Sequence, residues 1–335
     1  MTPLVTTFAG DSARGEGLFS TTAITPTFDY AYVGVGGNSM KRILLSTFSV
    51  AANTVTTVNP SNWFSIDPSA TYVYSPSSFA TAQIVRASVA SWPSSTTLNR
   101  SSGALGWTQF CIDPNGTYGY IIASDNPDAA VLKVNLSSFS VSSTLAVIGG
   151  LTLGGGAIDQ TGTYLYFTQY NNAYLSRVNL STFSITSTVG TAANPKNIAV
   201  RGNDVYVLCI NNGIYKYSSM VANGSLVTSG TGQFWGICID STGTYAYVIR
   251  QGTGANLGTI SKIQLSTFTE VAFYTGLDFP YGVAIDSTDT YVYVSNSGAA
   301  NNVSKFSTSS LSLIGNVTVG SNLTGITIIA NGNGQ

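Results

Sequence analysis

Short runs in which apolar and polar residues alternate with a period of two fill the chain, and they return in a fixed order. The clearest run is IDSTGTYAY at Ile239–Tyr247. The same text returns as IDPSATYVY at Ile66–Tyr74, IDPNGTYGY at Ile112–Tyr120, IDQTGTYLY at Ile158–Tyr166 and IDSTDTYVY at Ile285–Tyr293. Two worn copies are TPTFDYAY at Thr25–Tyr32 and VRGNDVYV at Val200–Val207. Each copy predicts four strands. The first is short and apolar, as in Gly282–Ile285, and ends in a tight turn at the Asp. There the carboxylate is expected to accept from backbone amides two or three residues on, and the Gly tolerates positive φ. The second strand is Thr-Tyr-x-Tyr-Val, with aromatic and β-branched residues suited to a pleated surface. An Asn/Gly-rich loop of variable length leads to a third strand, as in Ile260–Leu265, and a turn through Ser266, Thr267 and Phe268 leads to the fourth.

The aligned second tyrosines are Tyr32, Tyr74, Tyr120, Tyr166, Tyr206, Tyr247 and Tyr293, each 40 to 46 residues after the last. A strand-rich period of that length suits one four-stranded propeller blade per repeat. The fold expected is therefore all-β: a seven-bladed β-propeller with four-stranded antiparallel blades, its ring closed by terminal strands. It forms one domain over 1–335, with repeats at roughly 21–60, 61–104, 105–152, 153–193, 194–231, 232–277 and 278–320. Residues 1–20 and 321–335 remain for closure: Thr324–Ala330 reads as another first strand and Leu4–Phe8 as an orphan fourth strand.

One slot in the third strand is always basic: Arg42, Arg86, Lys133, Arg177, Lys216, Lys262 and Lys305. Six positions on stand Phe48, Trp92, Phe139, Phe183, Phe268 and Leu311, with Ala222 the exception. A residue repeated in every blade points to packing between neighbouring units, with long stems along apolar surface and heads at water or a tyrosine face.

Charged residues are only 8% of the chain and the net charge is −1, which argues against a phosphate-binding surface and so against nucleic acid. No apolar run is long enough for a membrane span. The start, MTPLVTTFAG, lacks a basic region and an apolar run, and reads as no signal peptide. Cys111, Cys209 and Cys238 are odd in number and read as small buried hydrophobes. The chain holds no histidine, which removes Ser-His-Asp and Cys-His catalysis and His-ligated metals. Most Asp residues belong to the repeat turns. Asp125 and Asp128 share one loop and Asp278 precedes a first strand, but this offers too few oxygens for calcium. Neither a metal nor a cofactor is expected, nor an enzyme.

The repeat IDxTGTYxYV, followed by a strand such as VNLSTFS, resembles the YVTN-type seven-bladed β-propellers, a group akin to NHL-repeat propellers. The resemblance spans nearly the whole chain. It implies the fold, and a choice among surface-layer proteins, adhesion modules, lactonase-like enzymes and phage structural proteins that the repeat itself does not make.

Aromatics outside the strict repeat mark the binding face. Trp63, Trp107, Phe234, Trp235, Phe279 and Tyr281 precede or enter first strands, on the side that carries the variable loops. Trp63, Trp107, Trp235 and Tyr281, with Asp125 and Asp128, are the candidate ligand residues; the alternative is that the aromatics plug the channel mouth. The function expected is a non-catalytic recognition or structural module on a virion, as a tail, fibre or capsid-surface protein. Its partners would be other virion proteins or a host-surface glycan or protein. The alternatives are an extracellular adhesion propeller on a cell surface and a lactonase-like enzyme.

Overall fold

Each Thr-Tyr-x-Tyr segment becomes the second strand of a four-stranded antiparallel sheet. In the fourth blade Tyr164–Gln169 pairs with Leu153–Ile158 on one side and Tyr174–Asn179 on the other, and Ser184–Gly190 forms the outer edge. The computed structural model describes residues 30–36, 38–57, 63–77, 83–99, 106–124, 129–147, 152–253 and 257–328, with backbone alone at 106–108. It contains seven such sheets, whose first strands touch in order around an axis. The chain is a seven-bladed β-propeller.

Closure uses the end of the described chain. Ile326–Ile328 pairs antiparallel with Tyr30–Val35 and so becomes the innermost strand of the first blade. It touches the inner strands Ser65–Ile66 and Pro280–Ile285 on its two sides. The outer position of this blade is split between Ser49–Val50 and Val55–Thr56. The Leu4–Phe8 segment lies outside the described residues.

The Asp turns differ from the expectation in their reach. The carboxylate bonds amides four and five residues on: Thr71 N and Tyr72 N donate to Asp67 at 2.7 and 2.9 Å, and Thr244 N and Tyr245 N to Asp240 at 2.7 and 3.0 Å. The amide three residues on is taken by the backbone, as Gly162 N donates to Asp159 O at 3.0 Å. The side chain thus spans the whole turn and pins the start of the second strand. Gly116, Gly162 and Gly243 take the left-handed φ this turn needs, and Ala70 and Asp289 accept it in their blades.

What holds blade to blade is the second tyrosine. Tyr74 packs on Phe139 with ring centroids 6.1 Å apart, Tyr120 on Phe183 at 6.1 Å, Tyr206 on Phe268 at 5.9 Å, Tyr293 on Phe48 at 5.9 Å and Tyr32 on Trp92 at 5.4 Å. In every pair the partner belongs to the turn between third and fourth strands of the next blade. Tyr247 shares its cluster with Leu311. The four Phe residues and Leu311 have φ of 48 to 53°. A left-handed conformation costs roughly 1–2 kcal/mol for a residue with a Cβ, against the roughly 1.5–3 kcal/mol that burying a large apolar side chain contributes. The fifth blade corrects the sequence reading. Ala222 is not the equivalent residue; a two-residue turn with both φ positive, Ser219-Met220, brings buried Met220 into the cluster of Tyr166.

The repeated cation completes this joint. Arg86 lies over its own blade's Tyr72 at 4.5 Å and the next blade's Phe139 at 4.3 Å, and its Nη1 donates to Leu136 O at 2.8 Å. Lys262 lies 3.9 Å over Tyr245 and donates to Thr308 O of the next blade at 2.8 Å. In the fifth blade Asp204 stands where the others have the first tyrosine, and Lys216 meets it as an ion pair of 2.8 Å. The anion replaces the π face that the other six blades offer the cation.

Asp204→Ala is expected to lower the unfolding free energy by about 1 kcal/mol, and Asp204→Tyr to return it to within about 0.5 kcal/mol of the parent. Urea titration followed by tryptophan fluorescence reads both; a Tyr variant no better than Ala would show that the two partners are not equivalent.

Candidate functional site

The seven inner strands enclose an axial cavity of about 150 Å³. Its waist is apolar, with Ile66, Cys111, Ala157, Ile198, Ile237, Val283 and Ile326 on the wall. Adjacent inner strands are joined by side chains. Ser65 Oγ donates to Phe110 O. Cys111 Sγ donates to Gly156 O at 3.1 Å, and Gly156 N to Gln109 Oε1 at 2.6 Å. Asn197 Nδ2 donates to Trp235 O at 3.2 Å. Ser295, on the second strand of the seventh blade, accepts from Gly282 N of that blade's inner strand at 2.9 Å and donates through Oγ to Thr324 O at 2.6 Å, just before the closing strand.

The lower mouth carries the Asp turns, and their charges are already engaged. Beyond the turn bonds described above, Arg201 Nη2 donates to Ser241 O, and Ser241 N donates to Asp289 at 3.0 Å. Gln160 Nε2 donates to Val200 O at 2.7 Å and its Oε1 accepts from Gly202 N at 2.8 Å. These bonds tie blades four to seven together at the bottom. Among the described residues no three His, Cys, Asp or Glu come together as a metal site.

The upper mouth is built differently. The fifth, sixth and seventh inner strands each break register near their start, between Pro195 and Asn197, Phe234 and Gly236, and Pro280 and Gly282. The extra residue in each bulge is re-aimed. These residues are Lys196, Trp235 and Tyr281, and they form a row. Lys196 Nζ lies 3.1 Å over the Trp235 ring, and Trp235 meets Tyr281 edge-on at 5.1 Å. Trp63 and Tyr281 both line the axial cavity. Trp63 also borders a second cavity of about 130 Å³, otherwise walled by Thr152, Leu153, Gly154 and Tyr170 of the fourth blade and Lys196 and Ile210 of the fifth. Gly154 permits the two blades to close there: a Cβ on it would stand 2.8 Å from Pro195 O.

Lys196 is 6% exposed, and burial lowers its ammonium to about 7, while the indole face beneath favours the charged form. Sequence reasoning picked out Trp235 and Tyr281 but passed over Lys196. The signal was present: Lys196, Trp235 and Tyr281 each stand four residues before the last apolar residue of the inner strand, Val200, Ile239 and Ile285. The row does not use Trp235 as an open platform, since it is 9% exposed. Phe279 is exposed and Phe234 is buried beneath Arg250. Trp107 lies on the inner strand Gly106–Ile112, its side chain outside the described residues, as are Asp125 and Asp128. Asp278 is buried and accepts from Ala300 N at 2.9 Å, so it holds a loop of the seventh blade.

No family model and no curated protein matches the chain. Solved structures do. A functionally unknown protein from Desulfotomaculum acetoxidans is 14% identical over 91% of this chain and 99% of its own, with a TM-score of 0.74. A putative 6-phosphogluconolactonase from Bacteroides fragilis is 14% identical over 91% and 99%, with a TM-score of 0.72. Hydrazine synthase of Kuenenia stuttgartiensis is 12% identical over 84% and 93%, with a TM-score of 0.67. These likenesses show the propeller fold.

All three cysteines are buried and unpaired by disulfide, and burial pushes the thiols of Cys111 and Cys209 up to about 12 and that of Cys238 up as well. Ellman's reagent at pH 8 is expected to find no reactive thiol in the folded protein and all three in urea; a fast-reacting thiol in the native state would contradict the burial.

Proposed function

We propose that the chain is a non-catalytic recognition module that binds a saccharide at its upper mouth. The observation that carries this reading is the row of bulge residues Lys196, Trp235 and Tyr281, set across the mouth from Trp63. Aromatic faces beside hydrogen-bonding groups suit the alternating C–H and O–H surfaces of sugars. Against catalysis stands the lower mouth, where the Asp carboxylates serve turn amides, and an upper mouth whose one buried carboxylate among the described residues, Asp278, serves a loop. The setting we assign is a virion surface, as a tail, fibre or capsid-surface component that also docks on other virion proteins. The sparsely charged exterior supports it: outer strands such as Ser184–Gly190 present Ser and Thr to solvent.

A glycan array tests the reading. The parent protein is expected to give signal on a defined set of glycans, and Trp63→Ala and Tyr281→Ala to reduce it about tenfold or more while keeping the thermal midpoint of unfolding. A blank array, or turnover of sugar lactones by the parent protein, would overturn it.

A further inference from the structure

Every blade ends outward in an edge strand, and among the described residues no strand pairs with the far side of any of them. Such an edge presents a row of N–H and C=O groups to any strand that meets it, and short or split edges present fewest. The first blade splits its edge, and those of the second, third, fourth, fifth and seventh blades have five to seven residues. The sixth differs. Thr269–Leu277 runs for nine residues without Pro, Lys or Arg. Its one charged residue, Glu270, accepts from Ser229 N at 2.8 Å and Ser229 Oγ at 2.6 Å, which holds the carboxylate toward the segment joining the fifth and sixth blades. From Ala272 to Thr275 its ladder with the third strand is regular.

This edge is also apolar where the repeat is polar. Phe273 is 53% exposed and pairs with Ser261, one residue before the third-strand cation Lys262. By the same register its equivalents in the second, third, fourth, fifth and seventh blades are Thr97, Thr144, Thr188, Ser225 and Asn316. Packing between blades therefore does not ask for an aromatic ring at this slot. Exposed apolar residues continue on both sides. Val227 stands two residues before Ser229, which bonds Glu270, next to the exposed Val271. Leu313 of the seventh blade pairs with Phe306, whose ring meets Tyr274 edge-on at 5.0 Å. Val227, Val271, Phe273 and Leu313 thus form one uncharged patch around the edge.

We propose that this edge pairs with the same edge of a second copy of the chain, antiparallel about a twofold axis through Phe273. Phe273 is the midpoint of the nine-residue strand, so this register overlaps the two strands fully. It sets Phe273 against Phe273 and Val271 against Thr275 in both directions, with no charge facing a like charge. A patch without charge offers nothing to select an acidic or a basic partner, whereas its own copy matches it in both pattern and length. A stable interface takes roughly 800 Å² from each partner, more than one strand supplies, and the flanking Val227 and Leu313 extend the contact into the neighbouring blades. The surface lies on the rim, so the pair leaves both axial mouths open, and the inference is independent of what those mouths bind.

Analytical ultracentrifugation of the full chain tests it, with hydrogen exchange to locate the contact. The parent is expected to sediment as a dimer at about 50 µM and to dissociate on dilution. Amides of Thr269–Leu277 should exchange about tenfold more slowly in the dimer than in the diluted monomer, while those of Ser184–Gly190 exchange alike in both. Phe273→Lys places two like charges face to face and is expected to weaken the dimer about 100-fold or more. Phe273→Thr restores the residue type of the third and fourth blades and should weaken it about tenfold or more with the far-UV circular dichroism unchanged, which separates lost pairing from lost folding. Val141→Lys, the same kind of change on the exposed edge of the third blade, should leave the dimer intact. A monomer at every concentration, a dimer that survives Phe273→Lys, or protection confined to another edge would overturn the proposal.

Discussion

A tyrosine from one blade set against the turn of the next is the contact on which the ring depends. Among the described residues neighbouring inner strands do not pair as a sheet, so no strand ladder there joins blade to blade, apart from the terminal strand that completes the first blade. Apart from an occasional backbone bond such as Phe234 N to Ile210 O at 2.8 Å, the joints come from side chains. The second tyrosines supply the area, being almost completely buried. Except at Trp92, the residue they meet is held in a left-handed turn that turns it sideways, out of its own sheet and toward its neighbour. The third-strand cation then lies over the first tyrosine and, in several blades, donates to a carbonyl of the neighbouring turn. In the joints of Arg86 and Lys262, apolar burial, a cation over a π face and a hydrogen bond combine, and the apolar burial recurs around the circle.

That division of labour frees the axis. Because the joints lie out at the second and third strands, the inner strands need only a few bridging side chains, such as Ser65, Gln109, Asn197 and Ser295. The lower mouth is stiffened by turns that bond within themselves and to the next turn. The upper mouth is where the repeat is broken by bulges, and where residues differ from blade to blade. Gly154, Lys196, Trp235 and Tyr281 stand in successive blades, a change from small to cationic to aromatic that no packing rule shared by seven blades requires. The recognition site we propose lies on a symmetric scaffold at the place where the symmetry is given up.

The repeat made the fold legible because it states strand, turn and strand in the same words many times. The basic slot was readable as a joint for the same reason: seven identical choices point to one structural task. Two details were not readable. Counting six positions from Lys216 reached Ala222, because the shorter Ser219-Met220 turn shifts the register in that blade alone. The Asp turns reach amides four and five residues on because the carboxylate bridges the whole turn rather than its first half. At the mouth, the aromatics drew attention by type, whereas Lys196 shares their place in the repeat but not their type, and the bulge shows that it is aimed as they are. The pairing of Trp235 with Tyr281 and with Lys196 needed the curvature of the ring, which a linear pattern does not contain.

A double-mutant cycle between Tyr120 and Phe183 tests the joint between blades most directly, with Tyr120 and Phe139 as the control pair. Tyr120 meets Phe183 of the following blade, whereas Phe139 belongs to its own blade and meets Tyr74. With leucine at each position, equilibrium unfolding in urea should give a coupling of about 0.5–1.5 kcal/mol for the first pair and additivity within about 0.3–0.5 kcal/mol for the second. Coupling to Phe139, or none to Phe183, would contradict a ring whose blades are joined through these tyrosines.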